Sequence, residues 1–359
     1  MSADRRGVIG FMTEKRSGLG EDSEPITLVL RGFEGDAVAV FDGMGGAGAT
    51  LVPAENEKKD DLRSMAYLAS RVAREEVDKV LCQWGKEDLS GLKETLESSV
   101  VARLVKLSER SDGKGPEKRI RGTILALYPT TVALAVVQPS KSEHVTRKVK
   151  TFWAGDSRIY CLDPALQVPL QVLTRDHTEI GGGGDAALQR FASAAGLSLE
   201  SGEFELPPDA AVIAMSDGCY GYMSNFQLMY LLISQMMRSR DEKEWIERIK
   251  ERISRVAGDD TSFSISFGSG GFPQLKQSLE LRLSQMEPLA FVVETSPPNP
   301  LIVPHIESAY FEVLDAADRR VAVELTTTVV EVLEATDSKS EVPAGVPALP
   351  LPPPPVAEA

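Results

Sequence analysis

The feature that most constrains how this chain folds is an apolar run that stops dead at an acid. Ala37-Val38-Ala39-Val40-Phe41 is short, continuous and rich in Val and Phe, and Asp42-Gly43-Met44-Gly45-Gly46 follows at once. Such a run reads as a buried strand. A carboxylate at its mouth is costly unless a cation faces it, and the glycines permit a sharp turn with close backbone approach. Alone, the stretch also fits an Asp-Gly hairpin turn. The pattern recurs, however. Ala210 to Met215 is a second apolar run, ending in Ser216-Asp217-Gly218. Gly258-Asp259-Asp260 stands directly ahead of Thr261 to Phe267, whose strict alternation predicts a strand.

The rest of the chain supplies partners for these strands. Ile26 to Leu30 predicts a strand, with a hairpin turn over Gly32 to Asp36. Glu21-Asp22 lies one strand away from Asp42 and could reach the same mouth. Apolar residues at helical spacing predict helices over Lys58 to Trp84, Leu89 to Leu107, Asn225 to Met237 and Asp241 to Ala257. Gly258 is expected to cap the last of these. Gly122 to Val137 suggests two strands around Pro129. Thr151 to Leu162 reads as a hairpin turning at Gly155-Asp156-Ser157. Four glycines, Gly181 to Gly184, form a loop, after which Asp185 is a plausible N-cap for a helix through Ala195. Phe272 to Leu289 looks helical, and Phe311 to Leu314 could pair with Val321 to Leu325. The proline-rich stretch from Thr336 cannot build a core.

Several strand-end acids therefore accumulate: Glu21-Asp22, Asp42, Asp217 and Asp259-Asp260. No histidine or cysteine accompanies them. An all-oxygen set suits Mg²⁺ or Mn²⁺ rather than Zn²⁺. Two such ions would neutralise converging carboxylates and activate water for phosphoester hydrolysis.

Five motifs occur in a telling order: Val40-Phe41-Asp42-Gly43-Met44-Gly45-Gly46, Trp153-Ala154-Gly155-Asp156-Ser157-Arg158, Leu173-Thr174-Arg175-Asp176-His177, Ser216-Asp217-Gly218 and Gly258-Asp259-Asp260. With Glu21-Asp22-Ser23 and Gly122-Thr123, the series resembles the metal-dependent Ser/Thr protein phosphatases of type 2C over about residues 7–268. The resemblance implies an α+β fold, a four-layer αββα sandwich of two antiparallel sheets flanked by helices, with two Mn²⁺ or Mg²⁺ ions at one end. By position, Asp42 would bridge both ions and the Gly43 carbonyl would ligate one. Asp217 and Asp259 would complete one shell, and Glu21, with Asp22 nearby, would serve the other. Asp156 matches a structural motif. Arg16 is the candidate phosphate clamp, displaced by one place because Ser17 occupies the family's Arg position. Met44 replaces the His that some members use as a general acid. Glu117 and Arg119 precede Gly122-Thr123, so two ions are expected rather than three. His177 reads as a structural hydrogen-bonding residue.

The implied activity is hydrolysis of phosphoserine or phosphothreonine in a phosphorylated protein substrate, with water attacking phosphorus directly, and a Ser/Thr kinase is a possible opposing partner. The alternative is a catalytically weak or inactive member acting as a regulatory binding module, motivated by Arg16 and the unusual Leu51 to Asp61 stretch. A scaffold role through the proline-rich tail accounts for residues 336–359 only. The formal charge of −14 disfavours nucleic acid and anionic membrane as partners. No apolar run approaches the ~18 residues of a membrane span, and no secretory signal is evident at the N-terminus. The cysteines Cys82, Cys161 and Cys219 match no metal or disulfide spacing and read as small buried hydrophobes, which fits a cytoplasmic protein. The expected division is 1–270 for the phosphatase-like domain, 271–335 for a helix with a small β extension, and 336–359 for the tail.

Overall fold

The computed structural model describes residues 7–30, 35–53, 62–85, 88–110, 127–138, 146–166, 168–180 and 186–295. The chain divides into Met1–Ser284 and Gln285–Ala359, and the architecture that follows is that of the first unit. One antiparallel sheet runs in the order β1 (Val8–Thr13), β14 (Thr261–Ser266), β13 (Ala211–Met215), β8 (Arg158–Leu162), β9 (Leu170–Val172). The other runs β12 (Glu200–Leu206), β7 (Arg147–Ala154), β6 (Val132–Val137), β3 (Gly35–Val40), β2 (Ile26–Leu30). Two small ribbons pair β4 (Leu51–Pro53) with β5 (Leu62–Ser64), and β10 (Thr178–Ile180) with β11 (Ala186–Leu188).

The continuous apolar character of β3 follows from its place in the layers. Successive side chains point to opposite faces. Ala37, Ala39 and Phe41 pack toward helices α2 (Met65–Gln83) and α3 (Leu92–Arg110). Val38 and Val40 pack toward Val212 and Ala214 of β13 in the facing sheet. Beyond that sheet lie α5 (Asn225–Met237), α6 (Glu242–Val256) and the start of α7 (Gly271–Thr295). Trp245 of α6 is fully buried there. Its ring lies 6.1, 5.9 and 6.0 Å from Phe263, Phe267 and Phe272, and its indole N–H donates to the Leu232 carbonyl at 3.0 Å. The result is the four-layer αββα sandwich. Two short helices, α1 (Gly45–Gly48) and α4 (Asp217–Tyr220), sit at the ends of strands. Polar links also cross between the sheets: the Ser266 hydroxyl donates to Asp36 Oδ2 at 2.8 Å, and Arg147 donates to the carbonyls of Phe267 and Ala210.

Several local expectations are corrected. The Thr151 to Leu162 stretch is not a hairpin, because β7 and β8 belong to different sheets. Gly155 carries the chain across with φ +113, and a Cβ there would lie 2.7 Å from the Thr131 side chain. The helix expected from Lys58 starts only at Met65. Residues 62–64 pair with β4 instead, and the Ser64 hydroxyl caps α2 by accepting from the Tyr67 amide at 3.0 Å. No helix leads to Ala195: residues 186–188 form β11, held by Thr178–Ile180. Gly258 is not the left-handed cap of α6, since Ala257 ends the helix with its amide on Ile253 and then turns extended. Cys161 and Cys219 are buried, but Cys82 is exposed. The strand expected ahead of Pro129, the tetraglycine loop, the 311–325 pairing and the proline-rich tail lie outside the described residues.

Candidate metal centre

Antiparallel pairing brings the strand-end acids together. β3 ends just before Asp42, and β2 begins opposite it, with the Ser23 amide donating to the Phe41 carbonyl at 3.1 Å. That places Glu21 and Asp22 beside Asp42. β13 ends before Asp217, and β14 starts after Asp259 and Asp260, with the Ser216 amide on the Ser262 carbonyl at 2.9 Å. The facing of the two sheets then sets Asp22 and Asp42 within electrostatic reach of Asp217.

Each acid is held by its own local structure. The Asp42 amide donates to Thr131 Oγ1 at 3.2 Å. Its carbonyl accepts from the Thr131 amide and the Thr130 hydroxyl, both at 2.8 Å. The residue is thereby fixed beside Asp22 and Asp217, both of which act on its carboxyl group. Asp22 is 1% exposed. The Ser216 hydroxyl donates to Asp22 Oδ2 at 2.8 Å and accepts from the Ser262 amide at 2.8 Å. Glu21 Oε1 accepts from the Ser64 hydroxyl at 2.5 Å, and the Glu21 carbonyl accepts from the Ser70 hydroxyl at 2.5 Å. Asp259 Oδ1 accepts from the Asp260 amide at 2.8 Å. Gly218 is required by close approach: a Cβ there would lie 1.8 Å from the Asp260 carbonyl oxygen.

Crowding and burial together raise the proton affinity of these acids. Burial pushes the Asp22 carboxyl up to about 8, reinforced by the Asp260 and Asp217 charges and opposed by hydrogen bonds from Ser216 and Asp42. Burial, then the charges of Asp22 and Asp217, hold Asp42 well above the carboxylate range. Glu21 and Asp259 are raised for the same first reason. Asp156 is raised to about 6 by burial and then by Asp217. A hard divalent cation would replace the protons these groups otherwise share, so the all-oxygen donor chemistry fits Mn²⁺ or Mg²⁺. Among the described residues, no three His, Cys, Asp or Glu side chains are already disposed as a ligand cage.

The remaining candidates fall on either side of this cluster. Gly43 is buried directly after Asp42. Arg16 is exposed in a turn closed by the Leu19 amide on the Arg16 carbonyl at 2.9 Å. His177 is a scaffold residue. Its Nδ1 accepts from the Gly155 amide at 3.2 Å, its Nε2 lies 2.8 Å from Glu200 Oε2, and its ring stacks on Trp153. Arg158 grips Asp176 through two bonds of 2.8 and 2.7 Å and lies over the Tyr220 ring. Sequence reasoning missed Ser64, Ser70 and Ser216, whose hydroxyls orient the acids. Only Ser216, adjacent to Asp217-Gly218, carried any signal of proximity.

No protein-family model matches the chain, and no curated protein matches it significantly. Solved structures do match. The serine/threonine phosphatase Stp1 from Staphylococcus aureus is 12% identical, with 73% of this chain and 94% of that one covered and a TM-score of 0.51. The S. agalactiae serine/threonine phosphatase is 14% identical, covering 73% and 99%, with a TM-score of 0.51. An Arg-to-Lys variant of a bacterial serine phosphatase is 15% identical, covering 74% and 98%, with a TM-score of 0.50. At these identities the likeness is one of fold. The chain has the fold of the bacterial Ser/Thr phosphatases, in agreement with its motif resemblance to type 2C. No helix among the described residues is long and apolar enough to cross a membrane.

Proposed function

We propose that the protein is a metal-dependent phosphoprotein phosphatase acting on phosphoserine or phosphothreonine. The observation that carries this reading is the convergence of Asp22, Asp42 and Asp217 from three separate parts of the chain. Asp22 is buried and Asp42 and Asp217 are half-buried beside it, and crowded acids with no function would be a standing cost to the fold. In this reading Asp42 would serve both ions of a two-ion site and the Gly43 carbonyl one of them, with Asp217 and Asp259 completing the shell of one ion. Glu21 serves the other, with Asp22 beside it. Two Mn²⁺ or Mg²⁺ ions, when bound, supply charge neutralisation and water activation near neutral pH. The chain's own part is to fix the carboxylates through Thr131, Ser216 and Ser64, and to offer Arg16 to the substrate phosphate. Met44, standing where some members carry a His, has no proton to give, so in this reading solvent protonates the leaving alcohol. The protein would work in the cytoplasm, opposite a Ser/Thr kinase.

The test is hydrolysis of a phosphothreonine peptide with Mn²⁺, comparing wild type with Asp217→Asn. Turnover that requires Mn²⁺ and falls by about 10³-fold or more in the variant supports the reading. Metal binding without turnover in the wild type favours the alternative, a regulatory binding module of the same fold.

A further inference from the structure

The acid next to the candidate ligand Asp259 does something different from its neighbours. Both carboxylate oxygens of Asp260 are engaged by backbone amides. Oδ1 accepts from Lys15 N–H at 2.7 Å, and Oδ2 accepts from Glu21 N–H at 2.6 Å. One side chain, fixed at the start of β14, therefore closes the 15–21 loop into a ring. That ring contains Arg16 and ends at Glu21. The opposite side of the loop is held through its carbonyls. Arg63 Nη1 donates to the Gly18 carbonyl at 2.5 Å, Arg71 Nη2 donates to the Gly20 carbonyl at 3.2 Å, and Ser70 holds Glu21. Arg71 is itself stacked 3.4 Å over the Tyr67 ring. The α2 side thus supplies donors, and Asp260 supplies the acceptors for both ends.

We infer that Asp260 is a positioning residue that yokes the loop bearing Arg16 and Glu21 to Asp259, the residue before it in the turn that leads into β14. The inference rests on the phosphatase reading for the roles of Arg16, Glu21 and Asp259. Its logic is geometric. Asp259 and Asp260 are consecutive, and the Asp260 amide donates to Asp259 Oδ1. Whatever fixes Asp259 also fixes the Asp260 backbone, and through its carboxylate the two amides at the ends of the loop. Loading the metal site then steadies the phosphate clamp before substrate arrives. An Asp is specifically suited to this: two N–H groups need two acceptor oxygens, and an Asn offers one acceptor and a misplaced donor.

The decisive variant is Asp260→Asn, which keeps the side-chain shape. Three readouts apply to the full chain: amide hydrogen exchange at Lys15 and Glu21, Mn²⁺ affinity by calorimetry, and KM against kcat on the phosphothreonine peptide. In the wild type, Mn²⁺ is expected to slow exchange at both amides. In the variant, exchange at Lys15 or Glu21 quickens by about tenfold or more, as for loss of a charge-assisted bond. Mn²⁺ binding weakens by about 10–100-fold, the range for groups that orient metal ligands. KM rises more than kcat falls. Unchanged exchange and unchanged Mn²⁺ affinity would overturn the inference, as would equal quickening throughout α2 and β14, which marks general loosening. If Asp260→Asn does not fold, Asp260→Ser, with one short acceptor, serves the same comparison. A wild type without turnover would count against the phosphatase reading alone, because exchange and Mn²⁺ affinity still decide the role of Asp260.

Discussion

Replacing Ser216 by Ala tests the polar core of the site without touching a proposed ligand. The Ser216 side chain is fully buried and makes two bonds, giving its proton to Asp22 Oδ2 and receiving one from the Ser262 amide, each at 2.8 Å. Alanine removes the hydroxyl and leaves little room for water. The orphaned Ser262 N–H costs about 1–3 kcal/mol. At pH 7, without metal, Asp22 is largely protonated because its carboxyl is pushed up to about 8, so its lost donor adds little. Above that pH the carboxylate is charged, and losing the donor adds about 1.5–3 kcal/mol. The expected destabilisation is therefore about 2 kcal/mol at pH 7, growing toward pH 9. For a unit of this size that lowers the melting midpoint by roughly 4–8 °C at neutral pH. Ser264→Ala is the internal control. Ser264 is equally buried, but its hydroxyl makes one long bond of 3.4 Å to the Ala39 carbonyl. Chemical denaturation of both variants in EDTA measures the difference. If Ser216→Ala costs no more than Ser264→Ala, or if its cost does not grow with pH, the account of how Asp22 is held is wrong.

Three further outcomes follow from the same structure. The native Asp22 pKa of about 8 lies above the ordinary 3.8, so the folded state binds this proton more tightly than the unfolded chain. Metal-free stability should then fall as pH rises from about 4 to 8, by at most ~1.4 kcal/mol per unit from this group; Mn²⁺ should flatten the slope in a pH series of melting curves. Gly218→Ala drives a Cβ to within 1.8 Å of the Asp260 carbonyl, and backbone must move, so a loss of ~3 kcal/mol or failure to accumulate folded protein is expected; a normal melting curve would contradict the packing of α4 on β14. Trp245→Ala empties the space between Phe263, Phe267 and Phe272 and removes the indole hydrogen bond to the Leu232 carbonyl, for a loss of about 3–5 kcal/mol by urea titration.

What the sequence revealed and what it hid divide along a physical line. Strands buried on both faces announce themselves as unbroken apolar runs, so β3 and β13 were legible, and with them Asp42 and Asp217. Amphipathic α5 and α6 were legible for the corresponding reason. The β7–β8 connection was misread because a turn between two strands looks the same whether the strands pair or part. Only the long-range partners, β6 with β7 and β13 with β8, decide which occurs. β5 was hidden inside the helical pattern that begins at Lys58, since three residues are too few to show a period of two. The acids were visible as acids, but their supports were not. Ser64, Ser70 and Asp260 reach residues 43, 49 and 239 positions away in sequence, and no local signal encodes such contacts.

The double burial of β3 carries one more consequence. Because its two faces are both apolar, a slide by one residue would exchange Val for Ala or Phe on each side while leaving both sides greasy, so hydrophobicity alone gives weak guidance on alignment. Alignment comes instead from the polar ends: Asp36 meeting Ser266 at one, and the main chain of Asp42 locked to Thr130 and Thr131 at the other. A one-residue insertion anywhere between those pegs would leave a core of nearly the same composition and still swing the decisive carboxylate to the wrong side of the sheet.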